Sequence, residues 1–156
     1  MKLLFCHQSA AVESLIRITN NRLSLQEIMF ELEDNSAGAL SMFIGNVRNR
    51  GRSGHVSEIY YEAYSEMAEQ KMREIENEAQ TKWGIKKLVA IHRIGNIKVG
   101  ESSIIIGVSS EHRHEAFEAC KYIINNVKAR VPIWKKEISK ESQKWADGIL
   151  LGIEKK

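Results

Sequence analysis

Apolar residues recur at three- and four-residue spacing in two long stretches of the chain, with charged residues between them. This spacing is typical of amphipathic helices, which bury one face against a core. In the first stretch, from Ser65 to about Lys82, the apolar positions are Met67, Ala68, Met72, Ile75 and Ala79. In the second, from about Glu111 to Arg130, they are Ala116, Phe117, Cys120, Ile123, Ile124 and Val127. The pattern predicts two long helices.

Shorter runs rich in β-branched and apolar residues predict strands. These runs are Ala39 to Gly45, Val56 to Glu62, Leu88 to His92 and Ser103 to Val108. We interpret the first as a buried strand. The last two are separated by Gly95 and Gly100 and should pair, with the almost wholly apolar final run at the centre of its sheet. Between the first two runs, Gly51 to Gly54 predicts a mobile, basic loop together with Arg50 and Arg52.

The N-terminal part of the chain carries one clear helix signal. Ser24 and Glu27 have the spacing of a capping box, which predicts a short helix over residues 25 to 33 that ends at Asn35 and Gly38. The segment from Glu13 to Asn21 fits either a strand or a loop. Helices alternating with mixed strands make the fold class α+β, with a mixed sheet packed by two long amphipathic helices.

Composition limits the class of protein. A chain of 156 residues with 28% charged residues and one proline fits a single globular domain over 1–156. A net charge of +3 is too small to indicate nucleic acid unless the charge is concentrated in one place, and it favours a small anionic ligand. Cys6 and Cys120 lack zinc-site spacing, and neither a membrane span nor a signal peptide is evident, so we expect a cytoplasmic protein.

Four cations lie around the only proline, in the segment Lys128-Ala-Arg-Val-Pro-Ile-Trp-Lys-Lys-Glu137. Pro132 cannot continue a helix, so the second long helix should end near Arg130 with Lys128 in its last turn. Lys135 and Lys136 then follow on an extended segment. Lysines on either side of a fixed bend can converge on one small anion, although cations near a helix C-terminus often only stabilise its dipole.

Other chemistries are not indicated. The chain has no phosphate loop, dinucleotide fingerprint, HExxH or GxSxG motif. His112 and His114 would point in different directions from a helix and make a poor metal pair, so we expect neither a metal nor a cofactor. His112 and Arg113 instead lie in the predicted first turn of the second long helix, where free N–H groups favour an anion. Cys120 is on the apolar stripe and should be a buried hydrophobe rather than a nucleophile.

Several strings, in order, resemble the large, catalytic subunit of molybdopterin synthase between about Ala37 and Trp145. They are Phe43-Ile-Gly-Asn-Val-Arg48, Tyr61-Glu-Ala-Tyr64 with Met67-Ala68, His92-Arg-Ile-Gly95, Glu111-His-Arg113 with Ala116-Phe-Glu-Ala119, and Lys128 to Glu137. The resemblance implies an α/β hammerhead fused to an α+β sandwich. It is weak over residues 1–36, and the tail over 146–156 matches nothing in the family.

The resemblance also implies a reaction. In this family, two sulfurs are inserted into cyclic pyranopterin monophosphate (precursor Z) to form the dithiolene of molybdopterin, in the biosynthesis of the molybdenum cofactor. The sulfur is brought as a C-terminal glycine thiocarboxylate by a small ubiquitin-like subunit whose tail enters the large subunit's pocket. The expected assembly is a homodimer within a heterotetramer, and neither Cys6 nor Cys120 needs a role.

Residue roles carried over from the family's motifs remain expectations. Lys128 should act as a general acid/base or form a covalent adduct, and Lys135 should position or protonate the intermediate. Phe43 opens an apolar strand and for that reason should belong to the core, whereas Asn125 stands where the family leads us to expect an aspartate. The expected substrate-binding residues are Asn46, Val47, Arg48, His112, Arg113, Lys136 and Glu137.

Helix geometry adds one inference. Arg113 and Lys128 are fifteen residues apart on one predicted helix, which is about 22 Å along its axis. One small pterin cannot easily contact both. If both bind it, His112 and Arg113 should come from the partner protomer of a homodimer.

Two other classes of function remain open at this stage. One is a non-catalytic module with a basic cleft for nucleotides or RNA, which would bind polyanions with a steep salt dependence. Its phosphate contacts would be Arg48, Arg50, Arg52, Lys128, Arg130, Lys135 and Lys136. The other is an inactive scaffold that retains only the fold and the ubiquitin-like partner, against which the retained lysines argue.

Overall fold

The computed structural model describes residues 13–51, 54–139 and 143–145. The helices are α1 (Leu25–Glu31), α2 (Ser65–Trp83) and α3 (Arg113–Arg130). The strands are β1 (Glu13–Thr19), β2 (Ala39–Asn46), β3 (Arg50–Gly51), β4 (Gly54–His55), β5 (Glu58–Ala63), β6 (Lys87–Arg93), β7 (Gly95–Lys98), β8 (Ser102–Ser110), β9 (Ile133–Ile138) and β10 (Gln143–Trp145). Arg52, Cys6 and the tail over 146–156 lie outside the described residues.

The first sheet is mixed and four-stranded, in the order β1-β6-β8-β2. β1 runs parallel to β6, whereas β8 is antiparallel to both β6 and β2. The expected pairing of the two apolar strands and the central place of β8 are therefore confirmed. Of the two readings left open for the segment from Glu13, the strand is the correct one.

Helices α2 and α3 pack against each other, and both contact the first sheet. The largest apolar cluster lies at this contact, as the sequence predicted for two amphipathic helices against a mixed sheet. Its largest fully buried members include Met72 and Ile75 of α2, Ile123 of α3, and Ile106 of β8. A second cluster, with Ile28 and Leu32 at its helical side, is built on α1. Alternate residues of β6 and β8 therefore belong to different clusters: one set packs against α2 and α3, and the other set packs against α1.

Two positions of the predicted helical stripes are wrong. Met67 is 42% exposed and Phe117 is 61% exposed. Met67 directly precedes Ala68, and Phe117 directly follows Ala116. Both alanines are buried. Successive helical residues are rotated by about 100°, so only one of two neighbours can face the core fully. The small alanine occupies that position in both helices.

Three further predictions, one on the burial of a strand and two on the ends of helices, need correction. β2 is half-buried rather than buried, because it is the edge strand of its sheet. α3 begins at Arg113, with His112 as an extended N-cap, so only Arg113 of that pair lies in the first turn. α1 ends at Glu31, earlier than expected, although Ser24 caps it by accepting from the Glu27 N–H at 3.4 Å.

The second sheet is antiparallel, in the order β10-β9-β5-β7. Under it lies a small apolar cluster formed by Val47, Val56, Ile59 and Ile97. The predicted loop after Arg50 is partly a short ladder, because β3 pairs with β4. This second sheet and the short ladder face the end of α3 and close one side of a cavity.

Candidate active site

A cavity of about 580 Å³ lies where the C-terminal end of α3, the edge of the first sheet and the second sheet meet. Its wall contains four cations, which come from three separate parts of the chain. These are Arg48 and Arg50 after β2, Lys128 in the last turn of α3, and Lys135 on β9. The two lysines on either side of Pro132 converge as the sequence predicted.

Lys128 is placed by the end of its helix. α3 ends at Arg130, and Val131 is already extended with φ −86 and ψ 129, as expected for the residue before a proline. The Lys128 Nζ lies 5.4 Å from the centre of the Phe43 ring, within the range of a cation–π contact. Phe43 packs against the main core, as expected, and also lines the cavity beneath the lysine.

Lys135 and Glu137 reach the cavity because they are two residues apart on β9 and so share one face of the strand. Lys135 Nζ lies 3.6 Å from Glu137 Oε1. The Glu137 side chain is 6% exposed, against 44% for Lys135. The carboxylate also lies directly against the backbone of Gly51, where any Cβ would overlap it. A side chain at position 51 would therefore require the Glu137 carboxylate to move.

The end of β2 supplies the next group. A register irregularity falls between Gly45 and Asn46, and the Asn46 Oδ1 accepts a hydrogen bond of 2.8 Å from the Ser102 hydroxyl. Asn46 and Arg48 line the cavity. Val47 lies between them in sequence, but its side chain is 3% exposed and belongs to the small apolar cluster. It therefore fixes the turn rather than lining the cavity.

The deeper wall is polar but neutral, and the sequence did not single out its residues. They are Tyr61 on β5, His92 on β6 and Ser103 on β8. Burial lowers the pKa of His92 to about 4, so its ring is neutral at physiological pH. Burial also raises the pKa of Tyr61, against the opposing effect of a hydrogen bond with Ser103. The only signal for them was that Tyr61 and His92 lie in strings that carry the family resemblance.

Besides Val47, three of the expected binding residues do not line this cavity within the described part of the chain. Lys136 falls on the face of β9 opposite Lys135. His112 and Arg113 lie at the N-terminal end of α3, the other end of the helix from Lys128. Their neighbourhood is exposed, with His112 Nε2 lying 3.7 Å from Glu111 Oε1.

Arg130 is engaged elsewhere. Its guanidinium donates to both carboxylate oxygens of Glu78 on α2, at 2.7 and 2.8 Å. Together with Tyr122, it lowers the pKa of Glu78 to about 2. With Arg130 and Lys136 turned away, the cations that a basic cleft would need do not form one surface.

Cys120 is a free thiol in the main apolar cluster. Its sulfur lies 3.9 Å from the carbonyl oxygen of Ile106, and burial raises the pKa of the thiol. It is therefore an unreactive core residue, as predicted.

The described residues hold no cluster of three or more histidine, cysteine or acidic side chains that could ligate a metal ion. No described helix has the length and apolar character needed to cross a membrane. The described lining of the cavity combines four cationic side chains with the Glu137 carboxylate and with neutral polar and apolar groups.

Comparison with known proteins identifies relatives with the same architecture. Residues 18–130 match the model of the family described as MoaE protein. The molybdopterin synthase catalytic subunit of Pyrococcus abyssi is 41% identical over 125 residues, which cover 80% of this chain and 84% of that one. The crystal structure of molybdopterin synthase from Staphylococcus aureus superposes with a TM-score of 0.80 at 34% identity, covering 84% of this chain and 96% of that one. A structure described as a complex of subunits 1 and 2 of the molybdopterin-converting factor from Helicobacter pylori shares the fold, with a TM-score of 0.68 at 20% identity over 88% of this chain and 91% of that one.

Proposed function

The chain belongs to the MoaE protein family, and on that premise we propose that it is the catalytic subunit of molybdopterin synthase. Its substrate is cyclic pyranopterin monophosphate, into which two sulfurs are inserted to give the dithiolene of molybdopterin. The enzyme is therefore a sulfurtransferase of molybdenum cofactor biosynthesis.

The observation that carries this proposal is the division of the cavity. Four cations occupy its more open part, and its buried part is formed by neutral polar and apolar side chains together with the Glu137 carboxylate. A pterin phosphate has the same division, because its phosphate is anionic and its fused ring is neutral and flat. Arg48, Lys128 and Lys135 would hold the cyclic phosphate and stabilise the charge that develops when its ring opens.

A sulfur donor from outside the chain fits the lining. No cysteine lines the cavity among the described residues, and Cys120 is sealed in the core. The sulfur therefore comes from a partner, a ubiquitin-like small subunit whose C-terminal glycine thiocarboxylate enters the cavity. A free buried thiol also suits the reducing cytoplasm, where we place the reaction.

Lys128 has the leading role in this proposal. It is exposed at the cavity in the free chain, so the bound substrate and the partner's tail would be what removes water from its ammonium group. Once desolvated, the amine can transfer a proton or add to an acyl carbon. Lys135, held beside the buried Glu137 carboxylate, would position the intermediate.

His112 and Arg113 enter the same proposal through a second protomer. Both lie at the end of α3 remote from Lys128. A homodimer would let the α3 N-terminus of one protomer reach the cavity of the other, giving two composite sites.

The test is reconstitution from the purified chain, a thiocarboxylated small subunit and cyclic pyranopterin monophosphate. We expect dithiolene product, and a loss of turnover of at least about 100-fold in Lys128→Ala, the scale of a general acid/base contribution. Lys121→Ala is the matched control, since Lys121 is an exposed lysine on the same helix outside the cavity. Binding of the small subunit without product would identify an inactive scaffold, and equal activity of the two variants would remove Lys128 from the mechanism.

A further inference from the structure

The buried part of the cavity contains a histidine for which the proposed mechanism has no use. His92 is 6% exposed, and Ser103 and Ile104 beside it are each 5% exposed. The cations Arg48, Arg50 and Lys128 are exposed by contrast. A ligand that places its phosphate among these cations has room to place its ring against the histidine, because both line the same cavity.

One hydrogen bond fixes the tautomer of His92. Its Nδ1 lies 2.8 Å from the backbone carbonyl oxygen of Arg93. A carbonyl oxygen only accepts hydrogen bonds, so Nδ1 carries the proton and donates it. Because burial keeps the ring neutral, Nε2 then has no hydrogen and presents a lone pair.

The lone pair lacks a protein donor. Within residues 13–51, 54–139 and 143–145, no group donates a hydrogen bond to Nε2. The Tyr61 ring packs edge-on against the imidazole, with ring centres 5.0 Å apart and planes at 67°, and so restricts its rotation. Among the described residues, Nε2 is not one of the fully buried side-chain atoms that lack a partner, so solvent in the cavity reaches it in the free chain. A ligand that brings an N–H group into the cavity would satisfy the lone pair.

We propose that Nε2 of His92 accepts a hydrogen bond from a ring N–H of the bound pterin. His92 is then the residue that determines specificity for the ring, while the cations select the phosphate. This inference rests on the proposed function, because that function supplies the pterin. A neutral acceptor suits this role for two reasons. The uncharged imidazole does not attract the phosphate away from the cations, and its unprotonated Nε2 cannot donate a hydrogen bond to a ring carbonyl. A ring that offers only acceptors at this position should be rejected.

The first test needs no variant. A two-bond ¹⁵N–¹H spectrum of the histidine-labelled chain distinguishes a protonated ring nitrogen from one with a lone pair. We expect His92 to show an unprotonated Nε2 that shifts towards the hydrogen-bonded position when cyclic pyranopterin monophosphate is added. Inorganic phosphate, which should occupy only the cationic part, should leave that signal in place. A pterin-saturated chain with an unchanged Nε2 signal would overturn the inference.

The second test separates binding from chemistry. His92→Asn can keep the hydrogen bond to the Arg93 carbonyl but lacks an atom at the Nε2 position, whereas the longer amide of His92→Gln can place an oxygen acceptor there. We expect KM for the pterin to rise roughly tenfold in His92→Asn, the effect of one hydrogen bond. In His92→Gln the rise should be much smaller, and kcat should change little in either variant.

Thermal unfolding of both variants controls for a loss of folding. Equal KM values for wild type and a folded His92→Asn would overturn the inference while the proposed function stands. A wild type that neither binds the pterin nor forms product would overturn the proposed function, and the inference with it.

Discussion

His92 shows how burying one titratable side chain links stability to pH. Burial lowers its pKa to about 4 from an ordinary 6.5. The unfolded chain therefore binds a proton that the folded chain does not, at every pH between these two values. Stability should be unaffected by this group above pH 6.5, and should fall by about 3 kcal/mol as the pH drops from 6.5 towards 4.

The measurement is the free energy of unfolding in urea at about pH 7 and about pH 5. The wild type should lose more stability than His92→Gln between the two conditions, because the variant lacks the titrating ring. Glu76, whose pKa is raised by burial, acts in the opposite direction in both proteins, so the comparison isolates His92. Equal slopes for wild type and His92→Gln would contradict the prediction.

The same residue shows why only part of the site could be predicted from the sequence. Lys128 and Lys135 were accessible to prediction because a proline fixes the bend between them and because both lie in a string that resembles the family's motif. His92 lies inside an apolar strand run, where the pattern indicates core and nothing more. Whether such a side chain faces a core or a cavity depends on the packing of the second sheet, which the local sequence does not encode.

Among the elements, α2 and α3 are joined at their surface by one ion pair in addition to their apolar contact. Arg130 and Glu78 form a two-pronged contact that also includes the Tyr122 hydroxyl. The side chains are 34% and 36% exposed, so solvent screens the pair. We expect Arg130→Ala to cost about 1 kcal/mol of stability and to leave kcat/KM within about twofold of wild type, since Arg130 does not line the cavity.

A double-variant cycle with Glu78→Gln checks this assignment. The combined variant should be less destabilised than the sum of the two single variants. Strict additivity would show that the helices do not depend on this pair. A large loss of activity in Arg130→Ala would instead restore Arg130 to the group of ligand contacts.

Two neighbouring lysines of β9 test whether the position of a charge on one face of the strand matters for activity, or only the total charge. Lys135 and Lys136 are neighbours with the same charge, but alternate residues of a strand face opposite sides, and only Lys135 lines the cavity. Lys135→Ala should therefore reduce kcat/KM by at least about tenfold more than Lys136→Ala. Steady-state kinetics with the reconstituted enzyme measures the difference, and unfolding midpoints of the two variants control for stability. Equal losses would mean that total charge, not the face of the strand, determines binding.

The elements themselves were predicted about as well as their periodicity allowed. α2 and α3 each repeat an apolar stripe over about five turns, so their existence is well determined by the sequence. The short strand β7 has no comparable signal, because it has only four residues, begins with a glycine and carries too little alternation. Met67 and Phe117 were misplaced because residues at the edge of a stripe look apolar in sequence whether or not the neighbouring sheet reaches them.

At the scale of the whole molecule, the length of α3 decides how many chains a complete site needs. Arg113 begins the helix and Lys128 lies in its last turn, so the two side chains belong to opposite ends of a rigid rod. A site that uses both must draw on two protomers. The alternative is that Arg113 serves the surface alone, in which case removing it should leave the reaction nearly unchanged.

Mixed dimers distinguish these two cases. Arg113→Ala and Lys128→Ala should each be nearly inactive, but after unfolding and refolding an equal mixture, half of the dimers carry one chain of each kind. Such a dimer has one site with both defects and one with neither, so activity should return to about a quarter of wild type. Lys128→Ala mixed with Lys135→Ala is the matched control. Both lysines line the same protomer's cavity, so every site in that mixture keeps a defect and no activity should return. Recovery in the control, or none in the test mixture, would show that the composite arrangement is wrong.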